Sequence, residues 1–330
     1  MNSLANTVTG IAATLLLGLA SAQLQPAQAQ SAWPDKPVTV IVPYAAGGNT
    51  DVAARIFAER LTARLGKPFI IENKSGAGGS IGIKAAATSP ADGYTFGAVT
   101  SGNLFILPHI FKDKLGYDNF KDIRPLAMVG TQPNFMVVHP SLPVTNVKDF
   151  IEHLKANPNK YSYGSSGIGT SQHLCMELLA QKTGIQVTHV PYRASNQIMQ
   201  DLMGGTIHMS CDQISSALPQ VKAGRAKGLA VTSLERYAPV PEYPAMAETI
   251  AGVDVTWAAI FIAPAAIPEP IAQKMMAELS AISKEPETIK KLENLSVTPV
   301  SIVGDALVKR IRADYDTWKP VVESAKIPQP

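Results

Sequence analysis

The sequence predicts an α/β protein with two tandem units of strand and helix. Short β-branched runs alternate with segments of helical period, and each half carries a glycine-rich turn between a strand and a helix. The halves share this grammar without a short-period repeat. They also share a local echo, Val42-Pro43-Tyr44-Ala45 against Val190-Pro191-Tyr192-Arg193.

The first unit begins with Val38-Thr39-Val40-Ile41-Val42, a buried strand by length and composition. The run from Pro43 to Thr50 breaks it. From Asp51, Val52, Ile56, Leu61 and Leu65 recur near helical spacing, and Gly66 with Pro68 just beyond marks the stop. Residues 69–72 read as a strand, 73–82 as a glycine-rich turn, 83–88 as a small-residue helix and 94–99 as a third strand. This β-α-β-α-β order calls for a parallel sheet with helices on its faces.

In the second unit, residues 135–138 read as a strand bounded by Pro133 and Pro140, and 147–156 as a helix. A strand at 161–163 leads into the turn Gly164-Ser-Ser-Gly-Ile-Gly-Thr-Ser171. A helix follows with Leu174, Leu178 and Leu179 on one face, closed by Gly184. Strands at 187–190, 207–211 and 228–232 and a helix at 198–203 complete the unit. Beyond a proline-rich crossover after Ala238, residues 253–262 read as a strand. Residues 269–319 read as helical throughout, packing on an existing unit.

The 330 residues carry a formal net charge of +3, and 17% are charged, under the roughly 25% of an average soluble protein. The apolar content of 46% excludes a disordered chain. No dense basic block exists to neutralise phosphates, so no nucleic-acid partner is expected. Residues 1–32 contain no Lys, Arg, Asp or Glu, and Ile11 to Ala22 form an apolar run of signal-peptide length. Ala27-Gln28-Ala29 is a small-x-small cleavage pattern with Gln30 as the new N-terminus, and Ala20-Ser21-Ala22 is a second candidate. The usual basic residues before the core are missing. Residues 1–29 are thus expected to be a cleaved signal peptide and the rest a soluble exported chain. Cys175 and Cys211 are open between a disulfide and two buried thiols, and their spacing fits no metal motif.

Several chemistries are excluded. Gly167-x-Gly169-x-x-Gln172 and Gly76-x-Gly78-x-x-Ile81 fail the dinucleotide fingerprint at its last position, and no P-loop or H-E-x-x-H occurs. Gly164-Ser165-Ser166-Gly167 is one position short of a nucleophile elbow. No cofactor or metal is expected. The glycine turns before Asp51 and Ser171 do suggest a function. A helix N-terminus presents free N–H groups and a positive dipole end, so it holds anions without Lys or Arg. Two such turns opposed across a cleft would grip a carboxylate or dicarboxylate.

The chain resembles the Bug family of periplasmic substrate-binding receptors, which serve tripartite tricarboxylate transporters. The resemblance is carried by Trp33-Pro34-x-Lys36-Pro37, Val42-Pro43-Tyr44-Ala-Ala-Gly47-Gly48-x-x-Asp51, Glu72-Asn73-Lys74-x-Gly76-Ala77-Gly78-Gly79 and Ala91-Asp92-Gly93-Tyr94-Thr95. In the second half it is carried by Tyr163-Gly164-Ser165-x-Gly167-x-Gly169-x-x-x-His173, His189-Val190-Pro191-Tyr192-Arg193, Leu229-Ala-Val-Thr-Ser233 and Ala263-Pro264. It implies a two-domain clamshell of the periplasmic-binding-protein fold, each domain a mixed, mostly parallel sheet flanked by helices. Domain 1 would be residues 30–132 plus 254–330 and domain 2 residues 133–253.

It also implies a monomeric, non-enzymatic receptor. It would take a small carboxylate (dicarboxylate, aromatic carboxylate or acidic amino acid) and pass it to the transporter's membrane subunits. The implied contacts are Tyr44, Ala45, Ala46, Gly47, Gly48 and Asp51 from the first loop and Ser165, Gly167, Gly169, Thr170 and Ser171 from the second. Tyr192 would line the cleft, and Ser101 and Asn103 would sit at a strand's carboxyl end. Asp51 is open between ligand contact and a charge in its helix's first turn, His173 between packing and contact. Arg193 is open between a second-carboxylate partner and a surface cation, and Asp212 would accept a ligand amine or hydroxyl. Family members tend to have Gly where Ala194 stands. Two other classes remain as alternatives: an exported serine hydrolase using Ser166, His173 and Asp212, and an extracytoplasmic ligand sensor.

Overall fold

The computed structural model describes residues 33–325, so the expected signal peptide lies outside the described residues. The N-terminal unit, Met1–Asp35, contributes only the described residues 33–35. The described chain from Lys36 onward forms one compact unit, built on two sheets that share a strand.

In the first sheet, β1 (Val38–Val42) pairs in parallel with β2 (Phe69–Asn73) and β3 (Thr95–Thr100). The connections are α1 (Asn49–Leu65) and α2 (Ser80–Ala87), as the alternating pattern predicts. Gly66 ends α1 in the left-handed region, its N–H donating to the Thr62 carbonyl. Two short helices, α3 (Ser101–Phe105) and α4 (Leu107–Phe111), lead to β4 (Ile123–Val138). That strand is 16 residues long, whereas the sequence predicts only its last four. Pro133 reads as the boundary of that strand, because proline cannot donate to a ladder. In the fold Pro125 sits at a register shift against β9 (Thr256–Pro264) and Pro133 pairs at that strand's start, so neither costs a regular hydrogen bond.

The second sheet uses the end of β4, antiparallel to β7 (Met209–Gln213) and β8 (Lys227–Val231), with β5 (Ser162–Ser165) parallel to β7 and to β6 (Thr188–Pro191). Its helices are α5 (Val147–Ala156), α6 (Ser171–Thr183), α7 (Ser195–Met203) and α8 (Ile214–Lys222). Helix α8 contains Pro219, a residue that hides it in the sequence pattern. Alternation along β4 sends Met136 and Val138 into a core with Phe150, Tyr163 and Met176, and Phe135 and Val137 into one with Ile198 and Leu202. Cys175 and Cys211 form a disulfide that ties α6 to β7. Closing its separation of 36 residues stabilises the fold by about 4 kcal/mol in a chain-entropy account.

The chain then returns to the first sheet. Strand β9 lies between β3 and β4, antiparallel to both. The segment read as helical throughout is two helices, α9 (Glu269–Ile282) and α10 (Pro286–Asn294), then β10 (Thr298–Val303) and α11 (Gly304–Ala325). Pro299 masks β10 in the sequence. It falls at a register shift of this strand, which pairs only with β4 among the described residues.

Candidate functional site

Four helices of eight residues or more begin at one pocket. Gly48, Asn49 and Thr50 open α1, Thr170, Ser171 and Gln172 open α6, Ala194 and Ser195 open α7, and Gln213 caps α8; all of them line it. Tyr44, Thr100, Ser166 and Trp257 complete the wall. The loops fold this way because glycine supplies the turns: Gly47 has φ +83°, Gly167 φ +115° and Gly169 φ +81°, which side-chain-bearing residues rarely adopt. Gly48 caps α1 with extended backbone and no side-chain hydrogen bond, which leaves the first N–H groups of that helix without a side-chain cap. Thr170 caps α6, its hydroxyl accepting from the His173 N–H.

The pocket is small, about 20 Å³, and the two loops meet close to it. A Cβ on Gly78 would lie 2.1 Å from the Ile168 carbonyl oxygen, and one on Gly102 2.7 Å from the Gly169 carbonyl oxygen. Ser215 Oγ donates to Asn49 Oδ1, and Asn49 Nδ2 donates to Gln132 Oε1 at 3.0 Å. Two larger spaces flank the pocket. An outer chamber of about 340 Å³ shares Tyr44 and Ser166 with it, and a rear chamber of about 310 Å³ shares Ser171.

The loops rest on buried polar frames. Tyr44 OH donates to Asn103 Oδ1 at 3.1 Å, and Asn103 Nδ2 reaches the Gly78 carbonyl at 2.9 Å. Asp51 accepts from the Gly47 N–H, Arg55 Nε and Asn73 Nδ2, each at 2.9 Å. Burial alone would raise its carboxyl, but the hydrogen bonds of Arg55, Gly47 and Asn73 outweigh it and hold it below the usual carboxylate value. Under the second loop, Ser165 Oγ bonds His189 Nε2 at 2.6 Å and accepts from the Gly167 N–H at 3.1 Å. His173 Nδ1 accepts from the Gly169 N–H at 3.3 Å. Burial pushes His173 down to about 3, with His189 adding to the shift, and pushes His189 down to about 4.

The sequence-predicted residues divide by place. Tyr44, Gly48, Thr170 and Ser171 line the deep pocket, and Tyr44, Gly167, Tyr192 and Arg193 line the outer chamber. Ser101 lines the rear chamber, its hydroxyl bonded to the Thr256 carbonyl and the Ala258 N–H. Asn103, Ser165 and Asp51 are buried in the frames, Gly169 packs on Leu107, and Ala45, Ala46 and Gly47 line none of these spaces. Asp212 is fully buried behind the wall rather than on it, with Oδ1 accepting from Gln172 Nε2 and the Gln213 N–H. Burial pushes its carboxyl up to about 6. Ser166, His173 and Asp212 do not meet: the Ser166 N–H and Asp212 engage Gln172, and His173 engages Gly169.

Sequence reasoning missed Asn49, Thr50, Thr100, Gln172, Ser195, Gln213 and Trp257. The Val-Pro-Tyr echo was the available signal for Ser195, since both copies run into a helix N-terminus at this pocket. Trp257 had no local signal. Its indole N–H is buried without a partner, as is the Asn134 amide nitrogen two residues beyond its ladder partner Gln132.

The fold is that of the periplasmic binding proteins: a solved structure titled "Structure of periplasmic binding protein BugD" superposes with a TM-score of 0.84 at 30% identity, covering 89% of this chain and 99% of the other. Residues 53–327 match the family described as "Tripartite tricarboxylate transporter family receptor", and the chain belongs to this TctC family of periplasmic solute-binding receptors. It is 30% identical over 299 residues to a UPF0065 protein from Pseudomonas sp. (strain P51), covering 90% of this chain and 88% of that one. A solved structure titled "R. palustris Rpa4515 with adipate" superposes with a TM-score of 0.84 at 32% identity, covering 89% of this chain and 98% of the other. MatC from Rhodopseudomonas palustris with bound malate gives 0.81 at 27% identity, covering 88% and 100%. Among the described residues no helix is long and apolar enough to cross a membrane.

Proposed function

We propose that this protein captures a small carboxylate in the cleft and hands it to the membrane subunits of a tripartite tricarboxylate-type transporter. The observation that carries the reading is the deep pocket. Four helix N-termini and Trp257, whose indole N–H is buried without a partner, line a pocket in which no lining side chain bears a formal charge. Such a wall stabilises an anion through N–H donors and helix dipoles, while a neutral ligand would leave the donors poorly used. The adipate and malate in the two related structures support a carboxylate ligand here.

The chain would act as a two-domain clamshell, with residues 30–132 and 254–330 on one side and 133–253 on the other. The touching walls are then its closed form, and opening admits the ligand. A thermal-shift screen of the purified protein against mono-, di- and tricarboxylates tests the reading. A ligand at 100 times its Kd stabilises by about 2.7 kcal/mol, a shift of several degrees. Trp257→Phe, which removes one donor to a charged group, should weaken the best ligand about tenfold. No shift with any carboxylate would sink the proposal.

A further inference from the structure

The rear chamber carries recognition groups of its own. It shares only Ser171 with the deep pocket, and the Ser171 hydroxyl is turned to Asn134 Oδ1 at 3.4 Å. Its volume of about 310 Å³ lies at the lower end of the range in which small ligands bind. Its apolar walls come from two cores: Phe105 and Ile106 from that of the first sheet, Leu178 from that of the second. Trp318 packs against both cores.

Four charged side chains line this chamber: Lys182, Asp254, Arg310 and Asp314. Arg310 and Asp314 pair with each other at 2.6 Å. Lys182 and Asp254 make no ion pair among the described residues, although they are opposite in sign and line one space. Lys182 Nζ lies over Gly252, 3.4 Å from where a Cβ on that glycine would stand, and Asp254 follows two residues along the chain. That separation is roughly 7 Å of extended backbone. A carboxylate and an ammonium on one carbon atom fill such a gap, each meeting its opposite charge in a charge-assisted hydrogen bond. A ligand with a single charge satisfies one end and leaves the other unpaired. Burial raises the Asp314 carboxyl, and the Asp254 charge adds to the shift against the pull of Arg310. A ligand ammonium between the two carboxylates relieves that repulsion. The rest of the ligand then covers Phe105, Leu178 and Trp318, which favours a large apolar group.

We propose that the rear chamber binds an α-amino acid with a large apolar side chain, its carboxylate at Lys182 and its ammonium at Asp254, at a site separate from the cleft. Titration calorimetry with L-phenylalanine and L-leucine tests it, with phenylalanine amide as the analogue that lacks the carboxylate. The expected result is one site per chain for both amino acids and at least tenfold weaker binding of the amide. Lys182→Gln and Asp254→Asn should each weaken phenylalanine about tenfold with the melting temperature kept, because both side chains are exposed. Trp257→Phe, which alters the deep pocket, should leave phenylalanine binding unchanged. Failure of both amino acids to bind overturns the inference, as does an amide that binds as tightly as phenylalanine. Binding that Trp257→Phe weakens and Lys182→Gln leaves intact overturns it too, since the amino acid is then in the cleft. So does binding indifferent to all three variants. The carboxylate reading of the cleft is unaffected by any of these outcomes and stands or falls on its own screen.

Discussion

His173 and His189 show how single residues under the second loop tie stability to pH. Both rings are held neutral by burial, at about 3 and about 4, against about 6.5 in an unfolded chain. The unfolded state therefore binds more protons between those values. The stability each histidine contributes is present in full above pH 6.5 and is lost as pH falls toward 4 and then 3. Asp212 has the opposite sign. Its carboxyl is raised to about 6, so its contribution is present at low pH and is lost as pH rises through that value. The two effects oppose each other in the wild-type curve, so the variant difference is the informative quantity. In His173→Gln the amide oxygen can still accept from the Gly169 N–H but does not titrate. Urea unfolding from pH 7 to pH 4 should show the wild type losing stability relative to this variant as the pH drops. Parallel curves would show that His173 is already protonated or never buried.

At the scale of elements, the loops work by what they lack. Gly78 has φ +65°, and its missing Cβ is what lets the Ile168 carbonyl and Gly167 approach. Gly78→Ala brings a backbone cost of about 1–2 kcal/mol and, more importantly, a methyl 2.1 Å from that carbonyl oxygen, so the two walls cannot meet as they do. Ligand affinity should fall more than tenfold, with the ligand-free melting temperature within a few degrees of wild type. Unchanged affinity would show that contact between these loops plays no part in binding. The strands and helices flanking the loops were legible in the sequence because each carries its own period and stop signal: β1, α1 with Gly66, and α6 with Gly184. The first part of β4 and all of β10 were not, since proline at a bulge looks locally like a chain break. The glycine loops could be read from composition and spacing. The start of α7 left only the Val-Pro-Tyr echo, and the roles of Gln213 and Trp257 left none, because those roles come from strands and helices brought together over more than a hundred residues.

For the whole molecule, the decisive feature is that β4 belongs to both sheets. Its residues from Ile123 to Pro133 pair with β9, and those from Asn134 to Val138 pair with β7 and β8. The cleft lies beside this crossing: Trp257, the β9 partner of Gln132, is in its wall, and Asn134 accepts from Ser171 Oγ at 3.4 Å. On the proposed clamshell reading, a ligand in the pocket would bridge helices carried by different sheets, while the shared strand would keep its ladder as the walls move. Hydrogen exchange distinguishes this from a rigid pocket. Ligand should slow exchange together at the start of α1, the loop before α6 and the start of α7, because one anion draws on N–H groups from all three and holds the walls closed. The ladders of β4 and β9 should not change, since they are paired in either arrangement. Protection confined to one wall would mean that the ligand binds a single sheet's helices and that no closure accompanies capture.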